Sequence, residues 1–334
     1  MDPCTQGILG VTLACSVANK NSVKVASICG LTGGLAPDLD ILITSTDDPL
    51  LFIEYHRHFS HSLIFVPLGA LIISLFLFLF FKKNYSFKEI YLYSSLGMLT
   101  HGLLDSFTSY GTNLFWPFSN SRVAWNVISI IDPIYTFILL FFLVLFFLIK
   151  KIFLIRMGLF LSIFYLGFGF IKHDQVKRYV KELAEVRKHK IERLILNPTI
   201  GNNILWRTVY QAGENYYIDA VYMPISKMPS HKEGKIIKFI DKETIFPELS
   251  NTSKQRQDIK RFSYFSQDYI YLHPEHKNVI ADLRYGTLPY DDKSLWGIRI
   301  DVKDMNKHVT FENLRNFNDE HYKEFWLMLR NGFN

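Results

Sequence analysis

The stretch Ser62–Phe81, which reads SLIFVPLGALIISLFLFLFF, decides the fold class of this chain. It carries no charged side chain from end to end, and an α-helix needs about 20 apolar residues to cross the hydrocarbon core of a bilayer. A helix at the surface of a water-soluble domain has one polar face instead. We therefore expect Ser62–Phe81 to be a membrane-spanning helix.

Five further apolar segments precede residue 172. Together with Ser62–Phe81 they predict an all-α membrane helical bundle of about six segments over residues 1–171. The first two are short and rich in Gly, Ser and Thr, so tilted, tightly packed and re-entrant arrangements all stay open. The five segments are Thr5–Ala18, Val23–Ala36, Ile90–Thr108, Ile134–Ile149 and Ile152–Ile171.

The chain after residue 171 has the composition of a smaller, water-soluble domain. Residues 172–198 predict an amphipathic helical stem, and residues 199–334 predict an α+β or mainly β domain that closes with a helix over Asp319–Leu329. Turn signals separate the strand-like runs. These runs are Ile204–Tyr210, Tyr216–Met223, Lys235–Ile240, Asp268–Leu272, Val279–Arg284 and Trp296–Val302.

Charge and cysteine content argue against two classes of protein. The net charge of +6 fits the Lys and Arg residues of cytoplasmic loops. The chain has no basic block with interleaved aromatic residues, so we do not expect it to bind nucleic acid. The three cysteines, Cys4, Cys15 and Cys29, have no CxxC spacing. We therefore expect neither a disulfide framework nor a cysteine-ligated zinc site. The sequence leaves the oligomeric state open.

The loop charges predict an orientation in the membrane. If all six segments span, one face carries eight basic residues, whereas the other carries only Arg57 and Arg122. The positive-inside rule places the basic face in the cytoplasm, so the remaining loops and the C-terminal domain face the periplasm. The basic residues between Lys172 and Lys188 oppose this assignment. The eight residues are Lys20, Lys24, Lys82, Lys83, Lys88, Lys150, Lys151 and Arg156.

Three clusters of Asp and His border or interrupt the apolar segments, where an ionisable side chain costs roughly 2–3 kcal/mol and usually has a function. His101 and Asp105 are four residues apart, so a helix presents both on one face. Asp38 and Asp40 follow Pro37, where turn-like backbone is expected. Each pair fits metal ligation, and the alternatives are a buried His–Asp hydrogen bond and a turn or helix cap.

The third cluster, His56 to His61, lies at the start of the Ser62–Phe81 helix. His56 and His61 cannot share one helical face, but they can converge if His56 lies in the preceding loop. Arg57 has a planar donor group suited to a phosphate or carboxylate, or it extends to the lipid headgroups. His58 is expected to be a bystander.

Three His and Asp clusters at one membrane face predict a single metal site. This mixture of nitrogen and oxygen ligands suits zinc, or a zinc or manganese pair, better than magnesium. Such a site supports hydrolysis, because the metal lowers the pKa of bound water and polarises a carbonyl or phosphoryl oxygen. Asp105 is assigned as a ligand or, if it does not bind the metal, as the general base, and Arg57 as the group that holds the substrate.

At these residues the chain resembles the LexA-regulated, membrane-bound, predicted metal-dependent hydrolases of bacteria. The resemblance covers most of residues 1–215. It rests on Met1–Gln6, Pro37–Asp40, His56-Arg57-x-x-Ser60-His61-Ser62, His101–Gly111, Leu114–Phe118, Arg122–Trp125, Ile131–Pro133 and Asn202–Arg207.

The resemblance implies a multi-pass inner-membrane hydrolase with a bound metal, and it names no substrate. The mixed His and Asp site is similar to that of zinc-dependent phospholipases C, so among small-molecule or lipid-like substrates we expect phosphoesters first. The resemblance also implies that Asp2 and Gln6 can complete the site, and that Asp132 caps a membrane helix or supports a ligand. A metal or proton transporter, a sensor, and a catalytically degenerate membrane binding protein remain alternatives. The metal ligands that it implies are Asp38, Asp40, His56, His61, His101 and Asp105.

Overall fold

Seven α-helices come from the first 186 residues of the computed structural model, which describes residues 1–333. Helix α3 is a single short turn, and α7 continues well beyond the last apolar segment. Short 3-10 helices over Ala36–Leu42, Phe59–His61 and Leu63–Phe65 join the longer elements. The α-helices are α1 Pro3–Val17, α2 Val23–Leu35, α3 Leu51–Tyr55, α4 Val66–Phe81, α5 Phe87–Ser106, α6 Pro133–Ile149 and α7 Ile152–Val186.

Three helical stretches in the described chain are long and apolar enough to cross a membrane: Val23–Leu42, Leu63–Phe81 and Ile152–Val186. The expectation of about six spans is therefore too high. Helices α1 and α6 are apolar, but their 15 and 17 residues reach only about 22 and 26 Å at 1.5 Å per residue, which is less than the ~30 Å hydrocarbon core. Helix α5 has 20 residues, but many of them are polar.

Glycines bring α1, α2 and α5 into backbone contact. A Cβ atom on Gly10 would lie 2.3 Å from the carbonyl oxygen of Gly30, and one on Gly97 would lie 2.4 Å from the same oxygen. Only glycine allows two helices to approach this closely, as is common among membrane helices. The result is a tight three-helix core. Helix α2 leads directly into the 3-10 helix that carries Asp38 and Asp40, and α5 carries His101 and Asp105 near its C-terminal end.

The C-terminal part contains two four-stranded antiparallel sheets in the orders β1-β2-β3-β4 and β5-β6-β7-β8, together with helices α8 and α9. This confirms the predicted α+β class. The elements are β1 Arg193–Pro198, β2 Leu205–Ala212, β3 Asn215–Tyr222, β4 Ser230–Lys238, α8 Lys254–Phe265, β5 Ile270–Leu272, β6 Val279–Asp282, β7 Trp296–Arg299, β8 Thr310–Asn313 and α9 Asp319–Asn331.

The helical stem expected over residues 172–198 is shorter than predicted. Helix α7 ends at Val186, where Lys188 takes a left-handed backbone conformation with a φ of 58° and the amide of His189 donates to the carbonyl of Ala184. This geometry commonly ends helices. The last six residues of the predicted stem instead form strand β1, because pairing with β2 buries its apolar side chains.

The chain divides into two units. The N-terminal unit contains Met1–Ile43, Tyr55–Ile171 and Ile200–Asn202, and the C-terminal unit contains Thr44–Glu54, Lys172–Thr199 and the chain from Asn203 onward. The segment Thr44–Glu54 thus belongs to the C-terminal unit, although the chain on both sides of it carries predicted site residues of the other unit.

Arg261 of α8 holds this segment within the C-terminal unit. Its guanidinium group donates to Asp48 at 2.9 and 3.1 Å and to Glu54 at 2.8 Å, and it also contacts Asp258 at 2.9 Å. Burial alone would raise the pKa of Asp48, but the hydrogen bonds from Arg261 lower it overall. Asp48 is therefore ionised at neutral pH, and its ion pair with Arg261 has a structural role.

Candidate metal centre

Three chain segments of the N-terminal unit bring Asp38, His61, His101 and Asp105 together. Asp38 lies on the 3-10 helix Ala36–Leu42 that extends α2, and His61 ends the 3-10 turn that precedes α4. His101 and Asp105 lie one turn apart near the end of α5. The approach of the His61 turn to α5 depends on Gly102, where a Cβ atom would lie 2.0 Å from the carbonyl oxygen of His61.

The ligand atoms of Asp38, His61 and His101 lie close enough together to bind one metal ion, and Asp105 contacts both imidazoles. Nε2 of His61 and Nε2 of His101 are 2.9 Å apart. Oδ1 of Asp38 lies 3.3 Å from Nε2 of His101 and 3.5 Å from Nε2 of His61. Oδ2 of Asp105 lies 3.3 and 3.8 Å from the His61 and His101 nitrogens, respectively. Ligands bound to zinc at 2.0–2.1 Å in tetrahedral geometry are about 3.3 Å apart.

The hydrogen bonds of the two imidazole rings favour a cation between them. Nδ1 of His101 lies 2.6 Å from the carbonyl oxygen of Gly34, and Nδ1 of His61 lies 3.1 Å from Oδ2 of Asp40. Each of these contacts needs a proton on Nδ1. When the ring is neutral, its Nε2 then has no proton and carries a lone pair. Two such lone pairs at 2.9 Å repel each other unless a cation or proton lies between them.

Asp105 is fully buried and only half satisfied by hydrogen bonds. Its Oδ1 accepts a hydrogen bond of 2.9 Å from Nε2 of Gln6 and contacts the amino group of Met1. Its Oδ2 has no hydrogen-bond partner, although it forms an ion pair with Nε of Arg57 at 3.0 Å. A buried carboxylate oxygen without a hydrogen bond is costly, and a metal ion would satisfy it.

Asp40 lies beside this cluster and orients it. Its Oδ2 accepts hydrogen bonds from Oγ of Ser60 at 2.7 Å and from the amide of Arg57 at 3.1 Å, and contacts His61 as described above. Its Oδ1 lies 2.8 Å from Nδ1 of His56. Asp40 and His56 also form a second possible metal group with Asp38. A carboxylate behind a metal-binding imidazole fixes the ring and raises its basicity.

Arg57 is buried at the edge of the site rather than extended toward lipid headgroups. Its backbone has a φ of 66°, which is unusual for a residue with a side chain and is common at functional sites. Nη1 donates to Oγ1 of Thr108 at 2.9 Å, and the guanidinium carbon lies 4.6 Å from the centre of the Tyr110 ring. These contacts hold the positive charge next to Asp105.

The site as a whole attracts positive charge. Burial alone would lower the pKa of His61, but the carboxylates of Asp105, Asp38 and Asp40 raise it to about 10. Most of the cluster is buried, whereas the side chain of Asp38 is 25% exposed. Access from outside is therefore on the Asp38 side.

The other predicted residues take structural places. The ring of His58 packs on Tyr55 and Trp116, outside the ligand cluster. Asp132 caps α6 by accepting from the amides of Ile134 and Tyr135, as the cap interpretation expects. Asp2 caps α1 through Thr5, whereas Gln6 reaches the site through Asp105.

Three residues that contact the site were not singled out from the sequence. Ser60 donates a hydrogen bond to Asp40, and Thr108 accepts one from Arg57. Tyr110 packs under the Arg57 guanidinium group. All three lie within the motif stretches quoted above, which is a usable signal. Their individual roles depend on the folding of loops that no periodic pattern describes.

Comparison with known proteins supports the membrane assignment. A family model described as YdjM inner membrane protein matches residues 1–176, more than half of the chain and all of the candidate site. The chain is also similar to "Uncharacterized protein YfhP" of Bacillus subtilis (strain 168), at 25% identity over 311 residues, which covers 85% of this chain and 87% of that protein. No solved structure matches the chain. With a match of this extent, the chain belongs to the YdjM inner membrane protein family.

Proposed function

We propose that this protein is a membrane-bound, metal-dependent hydrolase. The convergence of the ligand atoms of Asp38, His61 and His101, with Asp105 in contact with both imidazoles, is the observation that carries the proposal. Two nitrogen and two oxygen ligands suit zinc, and manganese is the second choice. The group Asp38, Asp40 and His56 shares Asp38 with this cluster, and these three residues would hold a second ion.

The residues around the cluster fit hydrolysis. When bound, zinc lowers the pKa of a water molecule and polarises a carbonyl or phosphoryl oxygen. Asp105 fits the role of ligand better than that of general base, because its contacts with Arg57 and Gln6 stabilise its ionised form. Arg57 supplies a fixed positive charge where negative charge develops during hydrolysis.

The surroundings of the site favour an amphiphilic substrate. Leu39, between the two site aspartates, is exposed, as are Leu42 and Phe118 in the same unit. Asp38 and Asp40 also lie at the end of the candidate span Val23–Leu42, where headgroups meet acyl chains. A phosphoester with a lipid-like tail would place its polar group at Arg57 and its tail along the apolar residues.

We infer a multi-pass arrangement in the inner membrane with the site and the C-terminal unit on the periplasmic side. With the three candidate spans, six lysines lie on the other side of the membrane from the loop between Leu42 and Leu63, and the positive-inside rule places them in the cytoplasm. They are Lys20, Lys82, Lys83, Lys88, Lys150 and Lys151. The site residues support it indirectly, because Asp38 ends one candidate span and His61 lies just before the start of the next. Both therefore belong at one membrane face.

Metal analysis of the detergent-purified protein, combined with a screen of phosphodiesters and carboxylic esters, tests the proposal. We expect bound zinc or manganese, and we expect His101→Ala to lose metal and hydrolysis together. His58→Ala is the matched control, since its ring lies outside the cluster. Full metal content in the double variant His101→Ala/Asp105→Ala would contradict the site, and zinc uptake into vesicles without hydrolysis would favour the transporter alternative.

A further inference from the structure

The C-terminal unit exposes large apolar side chains at one end of its first sheet. In the loop between β3 and β4, Ile225 is 78% and Met228 is 84% exposed. On helix α9, Trp326 is 64% and Leu327 is 59% exposed. We call these four residues the apolar face. Single exposed apolar residues are ordinary, but a group of four large ones marks an interaction surface.

The loop and the helix belong to the same end of the unit. Tyr222 ends β3 and Ser230 begins β4, so these two residues flank the loop. The amide of Phe333 donates to Oγ of Ser230 at 3.1 Å, and a Cβ atom on Gly332 would lie 2.6 Å from the ring of Tyr222. The C-terminal end of α9 therefore packs against the base of the loop.

Lys172 fixes the position of this loop along helix α7. The apolar part of α7, Ile152–Ile171, ends immediately before Lys172, and its length of about 30 Å matches the hydrocarbon core of a bilayer. The ammonium group of Lys172 is buried and donates to the carbonyl oxygens of Met223 at 3.2 Å and Pro224 at 3.0 Å. The loop thus starts beside the residue that follows the apolar part of α7.

Basic side chains accompany the apolar face. Lys227 is exposed in the loop between Ile225 and Met228. On α9, exposed Lys323 and Arg330 are four residues from Leu327 and Trp326, respectively, so they share a helical face with them. Tryptophan at headgroup level, with aliphatic residues below it and Lys or Arg beside it, is the composition of surfaces that bind the membrane interface.

We propose that the apolar face rests on the surface of the membrane that α7 crosses. Ile225, Met228, Trp326 and Leu327 enter the headgroup region, and the neighbouring basic side chains contact the phosphates of anionic lipids. This contact fixes the C-terminal unit close to the bilayer. It does not depend on the hydrolase proposal, because it uses no residue of the metal centre.

Quenching of Trp326 fluorescence by brominated lipid tests this contact. The full-length protein is reconstituted in phosphatidylcholine and phosphatidylglycerol vesicles, with and without bromine on the acyl chains. The difference in emission between the wild type and Trp326→Phe isolates the signal of this residue. We expect that signal to be lost in brominated vesicles. A signal that persists at the wavelength of exposed tryptophan would overturn the proposal, and a shielded but unquenched signal would assign the face to a protein partner instead.

Hydrogen exchange of the loop peptide is the second measurement. In the same vesicles, we expect Ile225→Asp/Met228→Asp to raise the exchange of residues 223–230 relative to the wild type. Ile236→Asp is the matched control, because Ile236 is an exposed isoleucine of β4 outside the apolar face. Equal exchange in the wild type and the double variant would overturn the proposal.

Discussion

Replacing Asp40 by asparagine tests how the metal centre is supported without removing any atom of the four-residue cluster. The two carboxylate oxygens of Asp40 receive three hydrogen bonds, from Ser60, Arg57 and His56, and contact His61. Asparagine has the same shape but offers one oxygen and one NH₂ group. At least one of the present donors will therefore face another donor.

The expected effect is a weaker metal site in a folded protein. The contact of 3.1 Å between Oδ2 of Asp40 and Nδ1 of His61 keeps the His61 ring in the orientation that points its Nε2 toward His101. Loss of such a partner typically lowers metal affinity by about 10–100-fold, which corresponds to about 1.4–2.7 kcal/mol of binding free energy. Asp40→Asn should therefore bind zinc about 10–100-fold more weakly than the wild type.

Competitive titration with a chromophoric zinc chelator measures this difference on detergent-purified protein. Asp47→Asn is the matched control, because Asp47 is exposed and only its backbone amide contacts Ser45. The control should bind zinc as the wild type does. If Asp40→Asn also binds zinc with wild-type affinity, Asp40 does not support the ligand, and the proposed role of its contact with His61 is wrong.

Three further predictions use the same protein. Gly102→Ala should weaken zinc binding, because its Cβ would lie 2.0 Å from the carbonyl oxygen of His61, whereas Gly167→Ala has no atom within 4 Å and should leave binding unchanged in the same titration. Arg261→Ala should destabilise the C-terminal unit by about 2 kcal/mol, because it removes several hydrogen bonds to carboxylates. Arg299→Ala removes a more exposed ion pair and should lower the stability by at most about 1 kcal/mol, and thermal unfolding of the two variants measures the difference. A C-terminal alkaline phosphatase fusion should be active, because the periplasmic orientation exports the chain end, and an inactive fusion with a normal expression level would reverse the topology.

The residue types and local spacing of the candidate site could be predicted from the sequence. His101 and Asp105 are four residues apart on a helix, so their shared face follows from helical geometry alone. The 3-10 turns that carry Asp38 and His61 are not periodic, so their convergence could not be derived. Asp40 and Asp38 look equivalent in the sequence, and only the fold gives Asp40 three hydrogen-bond donors while Asp38 faces the other ligands.

The sheets were predicted in part for similar reasons. Strands β2, β3, β5, β6 and β7 contain apolar residues of high strand propensity, and their positions were recognised, as was the C-terminal end of β4. Strand β8 was missed because its four residues show no alternation between buried and exposed positions. Strand β1 was predicted as a helix because Leu, Arg and Lys, which favour helices, make up much of residues 188–196. Its strand structure depends on pairing with β2, which lies beyond a turn, and local helix propensity does not include such pairing.

The place of Thr44–Glu54 in the C-terminal unit has a consequence for how the protein can be divided. A genetic cut after residue 171 would remove Arg261 and Phe311, which contact this segment through Asp48 and through the ring of Phe52. Leu50 and Ile53, both now buried, would then lose part of their packing. The two units are thus interleaved along the gene, so neither can be exchanged between relatives as one continuous block without redesign of the segment between Asp40 and His56.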